Sequence, residues 1–315
     1  MSDKAKLTLV GVVAITLIGV FIFTEMGNFP EYVLPRRGYK MLAVVLTGTC
    51  IAFSTVVFQT ITNNRILTPS IIGLDSLYML IQTVLIFAFG STTLSVVNKN
   101  VNFLITIVLM IIFVGFLYRL LFKREGQNLY FLLLLGLVFG TLFQSASTFM
   151  QVLIDPDEYT RIQDKMFASF NNVNTDLLTI SIIGIVAIFL YSLKFIKYLD
   201  VLALGREQAI NLGVPYDYVV RRLLVVVAVL ISISTALVGP ITFLGLLVVN
   251  VAYQFLGTYK HTYLILGSVL ISITALVGGL LLVERVFTFS TTLSVIINFI
   301  GGIYFIYLLL KENRT

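Results

Sequence analysis

The sequence predicts an all-α, polytopic membrane protein with about ten transmembrane helices, on three observations. Of its 315 residues 58% are hydrophobic and 11% charged, against about 25% charged and 45–50% apolar in a soluble domain. The mean hydropathy is +1.02. The apolar residues gather in ten nearly uncharged stretches, at 7–24, 41–61, 76–90, 101–118, 129–153, 177–193, 223–238, 241–256, 263–283 and 286–310, and a helix needs about 20 such residues to cross the hydrocarbon core. These runs are continuous, which excludes the period-two alternation of a membrane barrel. A chain this apolar is not a cytosolic enzyme, a nucleic-acid binder or a secreted disulfide scaffold.

The first span follows Lys4 and Lys6, as a signal peptide would. It lacks a small-x-small cleavage site and runs into Glu25-Met26-Gly27-Asn28, so it reads as a retained helix. With the N-terminus inside and ten spans, 14 of the 21 Lys and Arg residues fall on the cytoplasmic side, Lys123, Arg124, Lys194, Lys197, Arg206, Arg221, Arg222, Lys260 and Lys311 among them. Basic residues set topology, so both termini are expected in the cytoplasm. The longest inner loop is 194–222. The longest outer loop, 154–176, is acidic through Asp155, Asp157, Glu158, Asp164 and Asp176. No soluble domain interrupts the chain, and 1–315 reads as a single transmembrane domain.

Catalysis has little to work with. One histidine, His261, and one cysteine, Cys50, build neither a metal site nor an intrachain disulfide. No catalytic residue, metal ligand or cofactor is expected, and no G-x-x-x-x-G-K-[ST] phosphate loop occurs. Ion-coupled carriers place acids or bases at membrane depth. Here the nearest is Asp75, which reads as a dipole partner in the first turn of a helix near the cytoplasmic side. An ion-coupled secondary transporter of a small organic solute is the alternative class, and it lacks a visible coupling site.

The inner loop carries more. Residues 200–217 read as a short amphipathic helix bounded by Gly205 and Gly213, with Pro215 beyond the stop. Leu204, Ile210 and Leu212 would be exposed. Periodicity alone leaves open a membrane-surface helix and a docking element for a partner.

These residues resemble a known family, the iron-chelate and vitamin B12 permeases of ABC importers. Leu202, Leu204, Gly205, Ala209, Leu212, Gly213 and Val214 match its L-x-L-G-x-x-x-A-x-x-L-G-[VL] segment. Leu34-Pro35-Arg36 is similar to its L-P-R. Gln59, Asn64, Pro69 and Gly73 match its Q-x4-N-P-L-A-x-P-x-L-L-G without gaps. Phe170 and Val173 sit at its G-x-F-x-x-V, residues 239–246 match G-P-I-x-F-x-G-L, and 301–311 resemble its closing helix. The likeness runs in order over about 30–311. Three positions depart: 64–67 lack the proline of N-P-L-A, 248–250 replace V-P-H, and 290–294 replace E-L-P-[IV]-G. The departures resemble the branch that carries catecholate siderophores of the petrobactin and anguibactin type.

The resemblance implies the type II ABC importer permease fold in a bacterial cytoplasmic membrane. It implies two permease subunits, identical or paralogous, two ATP-binding subunits below and a siderophore-binding protein outside, with a ferric siderophore as substrate. Residues 202–214, Arg206 and Glu207 included, would couple to the ATPase. Arg36, with Arg37 beside it, and Arg285 would meet the binding protein; snorkelling, and a local Glu284–Arg285 pair, are the simpler readings of these arginines. Ser54, Thr55, Gln59, Asn64, Ser145, Ser147, Thr148 and Gln151 would give the path an uncharged polar wall.

Overall fold

The computed structural model describes residues 2–24, 30–90, 98–121, 129–171 and 175–312, and all regular structure in them is helical. Lys123, Arg124, Val173 and the 25–28 segment lie outside the described residues. The helices are α1 (Asp3–Phe23), α2 (Pro30–Thr62), α3 (Leu74–Phe89), α4 (Lys99–Leu121), α5 (Leu129–Leu153), α6 (Pro156–Met166), α7 (Thr175–Ile196), α8 (Leu199–Leu202), α9 (Arg206–Asn211), α10 (Tyr216–Val238), α11 (Leu244–Leu256), α12 (His261–Arg285) and α13 (Leu293–Glu312), with a 3-10 turn at Pro69–Ile72.

Eight are long and apolar enough to span a membrane, and α3 and α11 are shorter apolar helices. They follow the ten expected stretches in order. The ends differ where polar residues belong to a helix or apolar ones to a turn. α2 begins at Pro30, eleven residues before its apolar run, and carries Arg37 and Lys40 on that extension. The last span begins at Leu293 because Thr288 and Phe289 adopt positive φ and turn the chain.

The most buried spans are α2 and α10. α2 packs against α10, α12 and α11, and α10 also against α4 and α7; α3 pairs with α5 and α1 with α12. Aromatic edges lock the layers: Phe53 of α2 meets Phe189 of α7 at 4.8 Å, and Phe113 of α4 meets Phe143 of α5 at 4.9 Å.

Two connections enter the bundle from opposite ends. After α2, Asn63 turns the chain at φ 48° and the 3-10 turn docks on α5. Gly73 lies against Gly140 there, eleven residues into α5 and so about 16 Å from its start, half of a ~30 Å core. From the other end, Phe243 packs on Gly301 of α13, eight residues or about 12 Å along that helix. The two breaks meet where Thr242 Oγ1 donates to Asp75 Oδ2 at 3.1 Å. Asp75 does sit in the first turn of α3, but that helix starts inside the bundle, not at its cytoplasmic edge.

Backbone contact makes Gly136 necessary at this junction, since a Cβ there would lie 2.7 Å from Ile72 Cα and 2.8 Å from Ile71 O. Gly136→Ala should therefore cost about 1–3 kcal/mol, the usual range for overpacking, read as a lower melting temperature in detergent. Gly115→Ala, where a Cβ meets no atom within 4 Å, should melt like the unmodified chain.

Candidate translocation surface and its two docking ends

The junction opens sideways into a cavity of about 370 Å³ lined by Ser70, Gly73, Ser76, Gly140, Gln144 and Ser145, among others. That volume is near the lower limit for ligand pockets, roughly 300–1,000 Å³, and the cavity is open on one side. On α5 the residues Thr141, Gln144, Ser145 and Thr148 are exposed. Their spacing of three and four puts them on one face, so a polar stripe runs along an apolar span.

The expected wall residues are placed differently. Ser54 and Ser147 are 0% exposed and Gln59 is 2% exposed, all within helix packing. Ser147 Oγ lies 2.8 Å from Thr83 Oγ1 and accepts from Gln151 Nε2 at 2.9 Å, tying α5 to α3. Gln59 Nε2 donates to Arg65 O at 2.6 Å, and Asn64 Oδ1 accepts from Ile66 N at 2.8 Å, so both hold the post-α2 turn. Thr55 is also buried, pressed against Gly245. Of the expected set, Ser145 and Thr148 face outward. Thr141 and Gln144, each four residues before Ser145 and Thr148, complete the stripe, and that spacing is visible in the sequence.

At the end carrying the 194–222 loop, the expected helix between Gly205 and Gly213 is α9, and a further short helix, α8, precedes it. α8 and α9 are separated by Gly205, at φ 100° and ψ 168°, a region open essentially to glycine alone. Leu202, Ala209 and Val214 are buried and anchor the loop, while Leu204, Ile210 and Leu212 are exposed, Leu212 at 63%. Arg206 and Glu207 are exposed too, and Arg206 lies 3.7 Å from Asp217. Gly213 closes the turn at φ 80°. Burial pushes the Asp200 carboxyl up, but hydrogen bonds from the His261 backbone and ring, with the charges of His261 and Lys260, outweigh it and hold the carboxyl below its usual range.

At the opposite end the three arginines divide. Arg36 is exposed, its guanidinium 4.4 Å over the Tyr32 ring. Arg37 turns inward, donating to Phe21 O at 2.8 Å and to Thr24 O, and so caps the end of α1. Arg285 donates to Thr24 Oγ1. Glu284 pairs with Lys40 rather than with its neighbour, and Lys40 also donates to Asn171 Oδ1 at 2.7 Å. α6 covers this end through buried Ile162. Its Lys165 donates to Gln82 Oε1, while Gln82 Nε2 reaches Thr106 Oγ1 at 2.9 Å; burial pushes the Lys165 amine down to about 8.

Two departures from the family pattern touch. Asn250 Nδ2 donates to Arg65 O at 2.9 Å, and the Arg65 guanidinium lies 4.5 Å over the Tyr253 ring. At the third, Ser294 Oγ accepts from Ala168 N at 3.1 Å, fixing the α6–α7 connection to α13.

Comparison with known proteins agrees with this architecture. A solved structure titled as an inward-facing metal-chelate type ABC transporter superposes with a TM-score of 0.84, covering 98% of this chain and all of that one at 21% identity, a likeness of fold. The petrobactin import system permease protein YclO of Bacillus subtilis is 64% identical over the whole length of both chains. The petrobactin import system permease protein FatC of Bacillus anthracis is 36% identical, covering 96% of this chain and 89% of its own. The model of the FecCD transport family matches residues 6–311. On that match and the full-length identity, the chain belongs to the FecCD transport family.

Proposed function

We propose that this chain is one permease half of an ABC importer for a ferric catecholate siderophore of the petrobactin type. The observation that carries the reading is 64% identity, end to end, with a petrobactin import permease. In this reading the chain pairs with an identical or paralogous permease across the polar stripe of α5. Two ATP-binding subunits dock on the α8–α9 end, which the 14-to-7 excess of basic residues assigns to the cytoplasm. A substrate-binding protein docks on the Arg36 end, outside the bacterial cytoplasmic membrane.

Physical chemistry supports each assignment. Hydroxyls and amides at Thr141, Gln144, Ser145 and Thr148 solvate a polar chelate without the deep well that a fixed charge would make. Leu204, Ile210 and Leu212 give a short apolar surface on a glycine-hinged loop. Asp75 favours a second reading, an ion-coupled carrier, because it is an acid at mid-depth. Its carboxyl accepts from Thr242 and joins two helix breaks, which suits a structural role.

Reconstitution decides between them. Alone in liposomes, the chain should accumulate no ferric petrobactin under a proton or sodium gradient. With partner permease, ATPase and binding protein, uptake should appear and require ATP hydrolysis. Gradient-driven accumulation by the isolated chain would overturn the ABC reading.

Two substitutions probe the surfaces. Gln144→Leu with Ser145→Leu should slow uptake while the complex still assembles, whereas Ser54→Ala, inside the packing, should leave the rate unchanged; uptake of radiolabelled iron by proteoliposomes measures both. Arg36→Glu should weaken capture of the binding protein by up to about fivefold, the upper end for an exposed ion pair. The loss should shrink as salt rises and its screening length falls below about 8 Å, checked by titrating the binding protein at two ionic strengths.

A further inference from the structure

His261 is the one histidine of the chain, and the transport reading so far gives it nothing to do. It opens α12 at the loop end and is 3% exposed. Its backbone N–H donates to Asp200 Oδ1 of α8 at 2.9 Å, and its Nδ1 lies 2.6 Å from the same oxygen. Across the ring, Nε2 lies 2.8 Å from Thr60 Oγ1 in the last turn of α2. One imidazole thus joins the short helix before the coupling loop to α12 and α2.

Proton bookkeeping shows how durable the tie is. An ionised carboxylate only accepts, so Nδ1 carries a hydrogen. The Thr60 hydroxyl has one hydrogen and lies 2.8 Å from both Val56 O and His261 Nε2. When the ring is cationic, Nε2–H donates to Thr60 and the hydroxyl donates to Val56 O. When the ring is neutral, the hydroxyl turns to Nε2 instead. Both nitrogens thus stay engaged whichever way the Thr60 hydroxyl turns.

Position gives the link its mechanical meaning. α8 has four residues, of which Leu199 and Leu202 are buried, and it is separated from exposed α9 by Gly205. Gly205 N donates to Leu202 O at 3.0 Å and Ala209 N to Gly205 O at 3.0 Å, so α8 and α9 are bonded across the hinge. On the far side, α2 contacts α12, α11 and α10. We infer that His261 is a positioning residue that carries displacement of the α8–α9 coupling loop into α2 and α12, so that movement driven by the ATPase reaches the most buried span and, through its contact with the 69–73 turn, the cavity beside α5. The inference rests on the permease reading.

Asparagine and glutamine separate its two arms, because an Asn amide stands where Nδ1 was and a Gln amide where Nε2 was. His261→Asn keeps the Asp200 arm and His261→Gln keeps the Thr60 arm. In proteoliposomes holding the complete transporter and ferric petrobactin, each should lower the siderophore imported per ATP hydrolysed by roughly fivefold, as for losing one charge-assisted or buried hydrogen bond. ATP hydrolysis and the KM for ATP should persist. Asp200→Asn and Thr60→Ser, which keep an acceptor or the hydroxyl, should import nearly as the unmodified transporter does, and Thr60→Val should not. A merely structural histidine would not separate the conservative from the disruptive variants. Unchanged import per ATP in both His261 variants would overturn the proposal, as would loss of import explained wholly by dissociation of the ATPase on gel filtration. Failure of the unmodified transporter to import would overturn the permease reading and this proposal together, whereas a working transporter indifferent to these variants overturns the proposal alone.

Discussion

At bilayer depth there is no water to satisfy a broken helix, so every freed N–H and C=O must find a partner within the protein. This chain breaks its helices twice at that depth, and the rest of the structure depends on how the breaks are closed. The 69–73 turn satisfies itself through Ile71 N to Thr68 O at 3.1 Å and Gly73 N to Ser70 O at 3.0 Å. The 239–243 turn uses Phe243 N to Asn298 Oδ1 at 3.4 Å. Asp75 and Thr242 then join the two, with the carboxylate at the electropositive start of α3. Glycines at 136, 140 and 301 let backbone approach closely enough for both turns to dock.

A break at mid-depth also explains where the cavity lies. Two interrupted helices expose short side chains and backbone where continuous helices would present bulky apolar ones, and the ~370 Å³ space opens beside the first break. Its polarity comes from hydroxyl and amide groups, with the one acid, Asp75, occupied in holding the junction. α2 gives this arrangement a spine. Its start carries Arg37 and Lys40 and so organises one end of the bundle, and its last turn carries Thr60 at the other.

Where the expectations came from apolar length or from contiguous motifs, they reached the fold: ten apolar helices in order, a glycine-bounded loop, and a helix start at Asp75. They missed what depends on depth and facing. Asp75 reads as an edge residue because sequence counts positions from the last polar stretch, and a turn folded back into the bundle carries no marker of its depth. Ser54, Gln59 and Ser147 read as wall because polarity in an apolar span has two physical outlets, an aqueous path or a neighbouring helix, and composition does not separate them. Spacing does so in part: Thr141, Gln144, Ser145 and Thr148 repeat on one face, whereas Ser54 and Gln59 are five apart and stand on no common stripe. Arg37 likewise shows its inward turn only once Phe21 and Thr24 are seen beside it.

The two touching departures from the family pattern show how one backbone tolerates different local chemistry. A proline at position 65 would fix that residue's φ through its ring. Arg65 has no such constraint, yet its carbonyl accepts from Gln59 Nε2 at 2.6 Å and from Asn250 Nδ2 at 2.9 Å. Two side-chain amides therefore hold the 65–66 peptide through its oxygen, a restraint separate from the φ that a ring would fix. Asn250 stands at a replaced position itself, so the two changes meet in one hydrogen bond, and the Arg65 side chain lies over Tyr253. Tyr253 lies under the Arg65 guanidinium on one side of this turn, and Thr60, in the last turn of α2, contacts His261 on the other. In this chain the connection after α2 is thus held by hydrogen bonds that involve α11 and lie beside the anchor of the 194–222 loop, and its rigidity depends on those helices staying together.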